Sequence, residues 1–359
     1  MDVTSGPLLS VLMCVYNGER HVEAAIESVL NQTYTDFEFI ILDDGSTDTT
    51  PDILARFAAR DDRIRLLKNE TNKGVPASST IGFRAASGTY VARMDADDVM
   101  HEMRFEKQMA FLAKHPEVGL LGTDTFTTDQ DLKLFGTVKY PRSSGMLKWL
   151  LYFYMTLHHP TCVMRAEVVQ KVGYYREKFR IGSDFDLFNR MRFHTEFAMV
   201  PEPLYYYRHW GGNISMQSTL ALEKSFVMSL TEAISTLLGR SISEEQAAAF
   251  RNLGRRLTGF GFPETPEAVQ DAVALAIEVF EKFGAQQPLS RKERWEIRHH
   301  LALIHVQRSE YILPQSPKLA RSLAWKAIQY SPFIVVTVLG KMSRRLVRRL
   351  TKTGDKLPD

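Results

Sequence analysis

Short apolar runs alternate with amphipathic stretches through the first hundred residues. Leu8 to Tyr16 is almost continuously apolar, as expected of a strand buried on both faces. After it Val22, Ala25, Ile26, Val29 and Leu30 recur at helical spacing, which predicts a helix over Glu19 to Leu30 packed on that strand. The same alternation predicts strands at Phe37 to Leu42, Ile64 to Leu67 and Tyr90 to Met94, and helices at Thr50 to Ala59, Val75 to Ala86 and Arg104 to Lys114. The helix from Val75 is weakened by Ser78, Ser79, Thr80 and Gly82, all mediocre formers. Repeated strand and helix units of this kind imply a largely parallel sheet covered by helices on both faces.

Beyond residue 115 the regularity loosens. Val118 to Thr127, Leu134 to Tyr140 and Thr161 to Arg165 read as strands, while Met146 to Tyr154 and Asp184 to Phe193 read as helices. Glu202 to Gly212, rich in Tyr and Gly, is expected to be irregular and to close the first domain. From Thr219 to about Tyr330 the pattern is helical, as in Ala268 to Phe283 and Arg294 to Val306, with breakers at Gly259 to Pro266 and Pro314 to Pro317. The expected organisation is an α/β domain over 1–215, a helical domain over 216–330 and a basic amphipathic tail over 331–359.

Composition adds constraints. With 359 residues, 44% hydrophobic and 24% charged, the chain is an ordinary globular one of about two domains. Cys14 and Cys162 form neither a disulfide scaffold nor a Cys-x-x-Cys pair, which fits a reducing compartment. No basic segment precedes the first apolar run, so no secretory signal is expected. The late apolar run Phe333 to Leu339 is far short of the ~18 residues that span a bilayer. Seven basic residues against Asp355 and Asp359 give Lys341 to Asp359 a charge of +5. With the whole chain at +3, residues 1–340 carry −2, so the body has no global attraction for nucleic acid.

Three predicted strands run into polar residues at what should be one sheet edge: Asn17-Gly18-Glu19, Asp43-Asp44-Gly45-Ser46 and Asp95-Ala96-Asp97-Asp98. Ligands of open α/β sheets bind outside the carboxyl ends of the strands. Five clustered aspartates repel one another unless a cation or proton lies between them, and an all-oxygen donor set favours Mg2+ or Mn2+ over zinc. The structural alternative for Asp43 to Asp48 is a turn with a helix N-cap.

At these residues the chain resembles the family 2 glycosyltransferases, whose nucleotide-sugar-binding domain has the GT-A fold. The matching pieces are Ser10-Val11 through Val15-Tyr16-Asn17, Ser28-Val29-Leu30-Asn31-Gln32-Thr33-Tyr34, Leu42 to Asp48, Asn72-Lys73-Gly74 and Met94 to Asp98, in family order and spacing across roughly Leu8 to Ser215. The resemblance implies that Asp44 accepts a hydrogen bond from uracil and that Val15, Asn17 and Glu19 line the nucleoside pocket. It places Lys73 and Ala96 at the donor and Asp95 on ribose or sugar, and it gives Asp97 and Asp98 the metal, Mn2+ or Mg2+, on the diphosphate. Asp184 takes the position of the family's catalytic base, just before a helix, with Asp186 as the rival carboxylate two residues on. His159, of His158-His159-Pro160, falls near the acceptor side. Arg208 and His209 belong to a closing element that contacts the diphosphate; Trp210 stands where relatives usually have His.

The resemblance therefore implies an inverting, metal-dependent transfer from a UDP-sugar to a glycan or lipid-linked hydroxyl in bacterial surface polysaccharide synthesis. Val335, Leu339, Met342, Leu346 and Leu350 share one helical face, with Lys341, Arg345, Arg348, Arg349 and Lys352 largely opposite. Such a helix can lie on an anionic membrane, so 333–352 points to a cytoplasmic protein attached at the membrane face; a packed terminal helix is the alternative. A sugar nucleotidylyltransferase would need a Gly-rich basic loop after the first strand, and Val15 to Arg20 is not one. A non-catalytic nucleotide-sugar or glycan-binding module would not need Asp97, Asp98 and Asp184 together. Dehydrogenase and P-loop readings lack their glycine motifs.

Overall fold

The structure is a computed structural model that describes residues 8–212, 219–254 and 265–335. It divides into two compact units, Met1–Ala233 and Ile234–Asp359. The first is built on a nine-stranded mixed sheet flanked by helices. Its strands are β1 (Leu9–Val15), β2 (Phe37–Asp43), β3 (Ile64–Lys68), β4 (Tyr90–Asp95), β5 (Val99–Met100), β6 (Val118–Thr128), β7 (Leu134–Val138), β8 (Val163–Arg165) and β9 (Glu196–Arg208). They lie in the order β3-β2-β1-β4-β8-β6-β9-β5, with β7 on β6. The four strands from β3 to β4 are parallel, and β8 enters antiparallel between β4 and β6.

Period-two burial sends alternate side chains to two cores. Helices α1 (Val22–Leu30), α2 (Thr50–Ala58) and α4 (Arg104–Lys114) cover one face, over Val11, Met13, Ala92 and Met94. The other face, with Leu12 and Val91, receives α3 (Val75–Ala85), α5 (Ser144–Leu150), α6 (Ala166–Lys171) and α7 (Ser183–Met191). The weak helix formers of α3 have a packing reason. Ser78, Ser79 and Gly82 are buried, and a Cβ on Gly82 would lie 2.2 Å from Leu12 Cδ1, so small residues let α3 approach β1.

Three expectations need correction. The stretch expected to be irregular from Glu202 is the second half of β9, a 13-residue strand. Pro201 and Pro203 argue against a strand, but the register with β6 steps from Thr123↔Val200 to Asp124↔Pro203, so Pro201 and Glu202 bulge out and are exposed. The helix expected to run to Tyr154 ends at Leu150. The first unit also ends later than residue 215. The helix α8 (Thr219–Leu238) begins within it, with Phe226 on Phe185, Ser229 on Asn189 and Glu232 bridging Arg176 and Lys178.

The second unit is helical: α9 (Glu244–Leu253), α10 (Pro266–Gln286), α11 (Arg291–Ile312) and α12 (Pro317–Tyr330). Ser243 with Gln246, and Ser290 with Glu293, close reciprocal capping boxes at the starts of α9 and α11. Ile334 packs on Ala302 and Ala327, while 336–352 of the expected tail lie outside the described residues. Among the described residues no helix is long and apolar enough to cross a membrane.

Candidate active site at the carboxyl edge of the parallel strands

The loops after β1, β2 and β4 meet at one edge. Asn17, with a left-handed φ of 49°, bonds through its backbone to Ser46 Oγ (3.0 Å) and accepts from Thr47 N–H (2.8 Å). Glu19 accepts from the Thr49 hydroxyl (2.7 Å) and N–H (3.1 Å). Both side chains thus staple the first loop to the second. Val15 is core, and Ala96 packs at its margin.

The paired aspartates after β2 divide their work. Asp44 is buried and accepts from Asn69 Nδ2 (2.7 Å) and from the N–H groups of Lys73 (3.0 Å) and Gly74 (2.9 Å), so it clamps the 72–74 loop. The Lys73 side chain is exposed. Asp43, which the sequence reading did not select, accepts from Ser46 N–H on Oδ1 (2.9 Å) and leaves Oδ2 buried without a partner. A buried acceptor without a partner is costly unless a donor reaches it.

The edge of β4 carries three acidic side chains, Asp95, Asp97 and Asp98. Asp98 is fully buried; its Oδ1 takes the Arg208 N–H (2.7 Å), and the Tyr205 hydroxyl also bonds to its carboxylate. Burial, then the charges of Asp97 and Asp95, hold its carboxyl well above the usual range. Asp97 is half-buried, and its Oδ2 accepts from Trp210 Nε1 (2.8 Å). Arg208 Nε donates to the Asp97 carbonyl (2.6 Å) and Nη1 to that of Gln130, tying β9 to the acidic loop and the β6–β7 turn. His209 sits between Tyr207 and Phe135, with ring centroids 4.7 and 5.3 Å away. Among the described residues no three His, Cys, Asp or Glu side chains are grouped to hold a metal by themselves. As two adjacent carboxylates, Asp97 and Asp98 form an all-oxygen donor pair that fits a hard cation keeping water and phosphate oxygens as its remaining ligands.

Asp184 stands in the first turn of α7, after Gly182 in the left-handed conformation. Its hydrogen bonds come from the backbone at this helix start, with Phe185 N–H at 2.9 Å. Burial raises its pKa, against the backbone N–H groups of Phe185 and Asp184 and, least, the charge of Arg93. Its charge reaches Asp95, whose pKa burial pushes up to about 6 against Arg93, with Asp97 and Asp184 adding to the rise. Asp186 is occupied elsewhere: it is fully buried, paired with Arg176 and with Arg190 (2.9 Å). His159 lies in the core, bonded to the Tyr175 hydroxyl (2.7 Å) and edge-on to Phe188, rather than at the surface. The sequence reading also passed over Arg93, whose signal is a lone cation inside the apolar strand Tyr90 to Met94.

A parallel-sheet edge lined with carboxylates and a separate carboxylate at a helix start frame the candidate site. The family model of Glycosyl transferase family 2 matches residues 10–173. A putative glycosyltransferase EpsE of Bacillus subtilis is 37% identical over 195 residues, 52% of this chain and 68% of that protein. The O-antigen biosynthesis glycosyltransferase WbnJ of Escherichia coli is 29% identical over 187 residues, 51% of this chain and 71% of that one. Among solved structures, S. aureus TarS 1-349 in complex with UDP-GlcNAc has a TM-score of 0.56 at 16% identity, covering 89% of this chain and 91% of TarS. The mannosyltransferase PcManGT of Pyrobaculum calidifontis, in complex with GDP-Man and Mn2+, has a TM-score of 0.52 at 16% identity, covering 94% and 89%. The chain belongs to glycosyl transferase family 2, and its fold is of the GT-A type. It is a glycosyltransferase, with relatives in polysaccharide biosynthesis.

Proposed function

We propose that the enzyme transfers a sugar from a UDP-sugar, with inversion, to a hydroxyl of a glycan or lipid-linked acceptor of bacterial surface polysaccharide. The observation that carries this reading is Asp184. Its carboxylate is hydrogen-bonded only to the backbone of its own helix start among the described residues, and it acts electrostatically on Asp95 at the donor edge. Asp184 accepts the proton of the acceptor hydroxyl. The acceptor oxygen forms its bond to the sugar C1 as the C1–oxygen bond to the diphosphate breaks, and the electron pair leaves with UDP. A single displacement inverts C1. Burial keeps Asp184 more basic than a surface carboxylate, as a general base requires.

Asp97 and Asp98 would hold Mn2+ or Mg2+, which neutralises charge on the departing diphosphate, a Lewis-acid contribution of several kcal/mol. The Mn2+ bound by PcManGT on a similar fold supports this. For the nucleoside we assign Asp43 rather than Asp44: Oδ2 of Asp43 is the acceptor left over, and it suits the N3–H of uracil, which cytosine lacks. UDP-GlcNAc in TarS and GDP-Man in PcManGT show that the fold accepts more than one nucleotide; this contact disfavours cytosine, and the choice of UDP over GDP follows the UDP-GlcNAc complex of TarS. WbnJ's role in O-antigen biosynthesis supports a surface-polysaccharide acceptor. Residues 333–352 supply the membrane contact, through basic residues worth ~1 kcal/mol each near an anionic surface. Deleting residues 336–359 should abolish co-sedimentation with phosphatidylglycerol vesicles at low salt.

The test compares two carboxylates two residues apart. Asp184→Asn should lower transfer from a UDP-sugar by ~10²-fold or more while leaving UDP affinity and thermal stability unchanged. Asp186→Asn should instead destabilise the fold by about 3–5 kcal/mol, since it strips a buried charge from two arginines. Near-normal turnover by Asp184→Asn would overturn the assignment.

A further inference from the structure

Helix α12 is pinned on α11 by one side and bare on the other. Its Ala320, Leu323 and Ala327 are buried, the Tyr330 ring lies against His305 (5.3 Å between centroids), and the Ala320 carbonyl accepts from the Ser309 hydroxyl (2.8 Å). These contacts fix which side faces out. Trp325 is 63% exposed on that side, and Lys318, Arg321, Ser322, Ile328 and Gln329, at helical spacing from it, are all exposed. Just beyond the helix Phe333 and Val335 are exposed as well. Single exposed apolar residues are ordinary. The charge around these is one-sided: from Tyr311 to Gly354 the chain has nine basic residues and no acid. Three of the nine, Lys318, Arg321 and Lys326, are on α12, where no acid stands a turn away as Glu296 does from Lys292 on α11. Among the described residues none of the three forms an ion pair.

We propose that the outer face of α12, centred on Trp325, docks on an anionic lipid surface. The indole sits in the headgroup layer, where tryptophan is favoured, and Lys318, Arg321 and Lys326 meet lipid phosphates. Unpaired cations around exposed Trp325 and Ile328 complement a surface that is anionic outside and apolar beneath. A nucleic acid would satisfy the charge but leave Ile328 and Val335 with nothing to bury them. The proposal rests on the membrane reading of 333–352 and deepens it. Six of the nine basic residues fall in 341–352 and supply most of the attraction. The face on α12, held rigid by α11, decides which side of the helical unit meets the lipid.

The experiment uses the full chain and vesicles of mixed phosphatidylglycerol and phosphatidylcholine whose acyl chains carry bromine, a contact quencher of indole fluorescence. Of the four tryptophans, Trp149 is buried and Trp295 is stacked on His299 in α11, so the quenched signal should come from Trp325. Wild type and Trp295→Phe should be quenched alike on binding at low salt. Trp325→Phe should still sediment with the vesicles but lose most of the quenching. Trp325→Ser should lower partition by about tenfold, and Arg321→Gln by about fivefold, with thermal unfolding unchanged because both positions are exposed. Sedimentation of wild type without quenching, as a tail packed across Trp325 would give, overturns the proposal. So does quenching that survives in Trp325→Phe, or equal binding to vesicles of phosphatidylcholine alone. A wild-type chain that does not sediment at all overturns the reading of 333–352 as well, so the two failures are distinguishable.

Discussion

The indole N–H of Trp210 donates to Oδ2 of Asp97 at 2.8 Å. His21 meets the indole ring edge-on at 4.9 Å, and the Arg20 guanidinium lies over it at 5.7 Å. Where the resemblance places a histidine, this chain therefore has a donor that orients a carboxylate assigned to the metal. Partners of this kind typically account for 10–100-fold in metal affinity. Trp210→Phe should weaken Mn2+ binding in the presence of UDP by about tenfold, read by electron paramagnetic resonance of free Mn2+. Unchanged binding would show that the indole does not orient this ligand, and tighter binding that it competes with the cation.

The parallel half of the sheet and its acidic edge were legible because each strand ends where apolar residues give way to polar ones, and each helix shows a buried stripe such as Val22, Ala25, Ile26 and Val29. β9 was not legible, since Pro201 and Pro203 count against a strand unless a bulge absorbs them, and only pairing with β6 reveals the bulge. The end of the first unit was hidden for a related reason. Nothing local marks α8 as packing on α7; long-range partners such as Asn189 with Ser229 decide it. Within the site, the buried ion pairs of Asp186 with Arg176 and Arg190 were not legible, and neither was the division between Asp43 and Asp44. Adjacent residues at a strand end point to opposite sides, and which one faces the loop depends on where Asn69, Lys73 and Gly74 fold back.

That division of labour separates the two residues experimentally. Asp44→Asn replaces an acceptor by a donor facing the N–H groups that close the 72–74 loop. It should cost about 1–3 kcal/mol of stability in urea unfolding. Asp43→Asn keeps the Oδ1 contact to Ser46 and changes only the oxygen without a partner, so the fold should hold. UDP binding by calorimetry should weaken by about tenfold or more, consistent with the ~1.5–3 kcal/mol of a hydrogen bond to a charged group. Equal UDP affinity in wild type and Asp43→Asn would return the base contact to Asp44.

His159 makes a prediction about pH. Burial, then the charges of Arg93 and His158, hold its pKa well below the ordinary value of 6.5, and its neutral ring is bonded to the Tyr175 hydroxyl. In the native state the ring stays uncharged, while in the unfolded chain it binds a proton below about pH 6.5. The unfolded state then holds more protons, so stability is lost as pH falls through that window. At up to about 1.36 kcal/mol per unit, the loss attributable to His159 between pH 7.5 and 5 is at most about 2 kcal/mol. Asp95, with its pKa raised to about 6, acts in the opposite direction over part of the same range, because its folded form takes up a proton more readily. The contribution of His159 is therefore read as the difference between wild type and His159→Gln, which removes the titrating ring while leaving an acceptor for Tyr175. Urea unfolding at pH 7.5 and 5 should show wild type losing up to about 2 kcal/mol more than the variant. Parallel losses would mean that the ring reaches water, as a residue on the acceptor surface would.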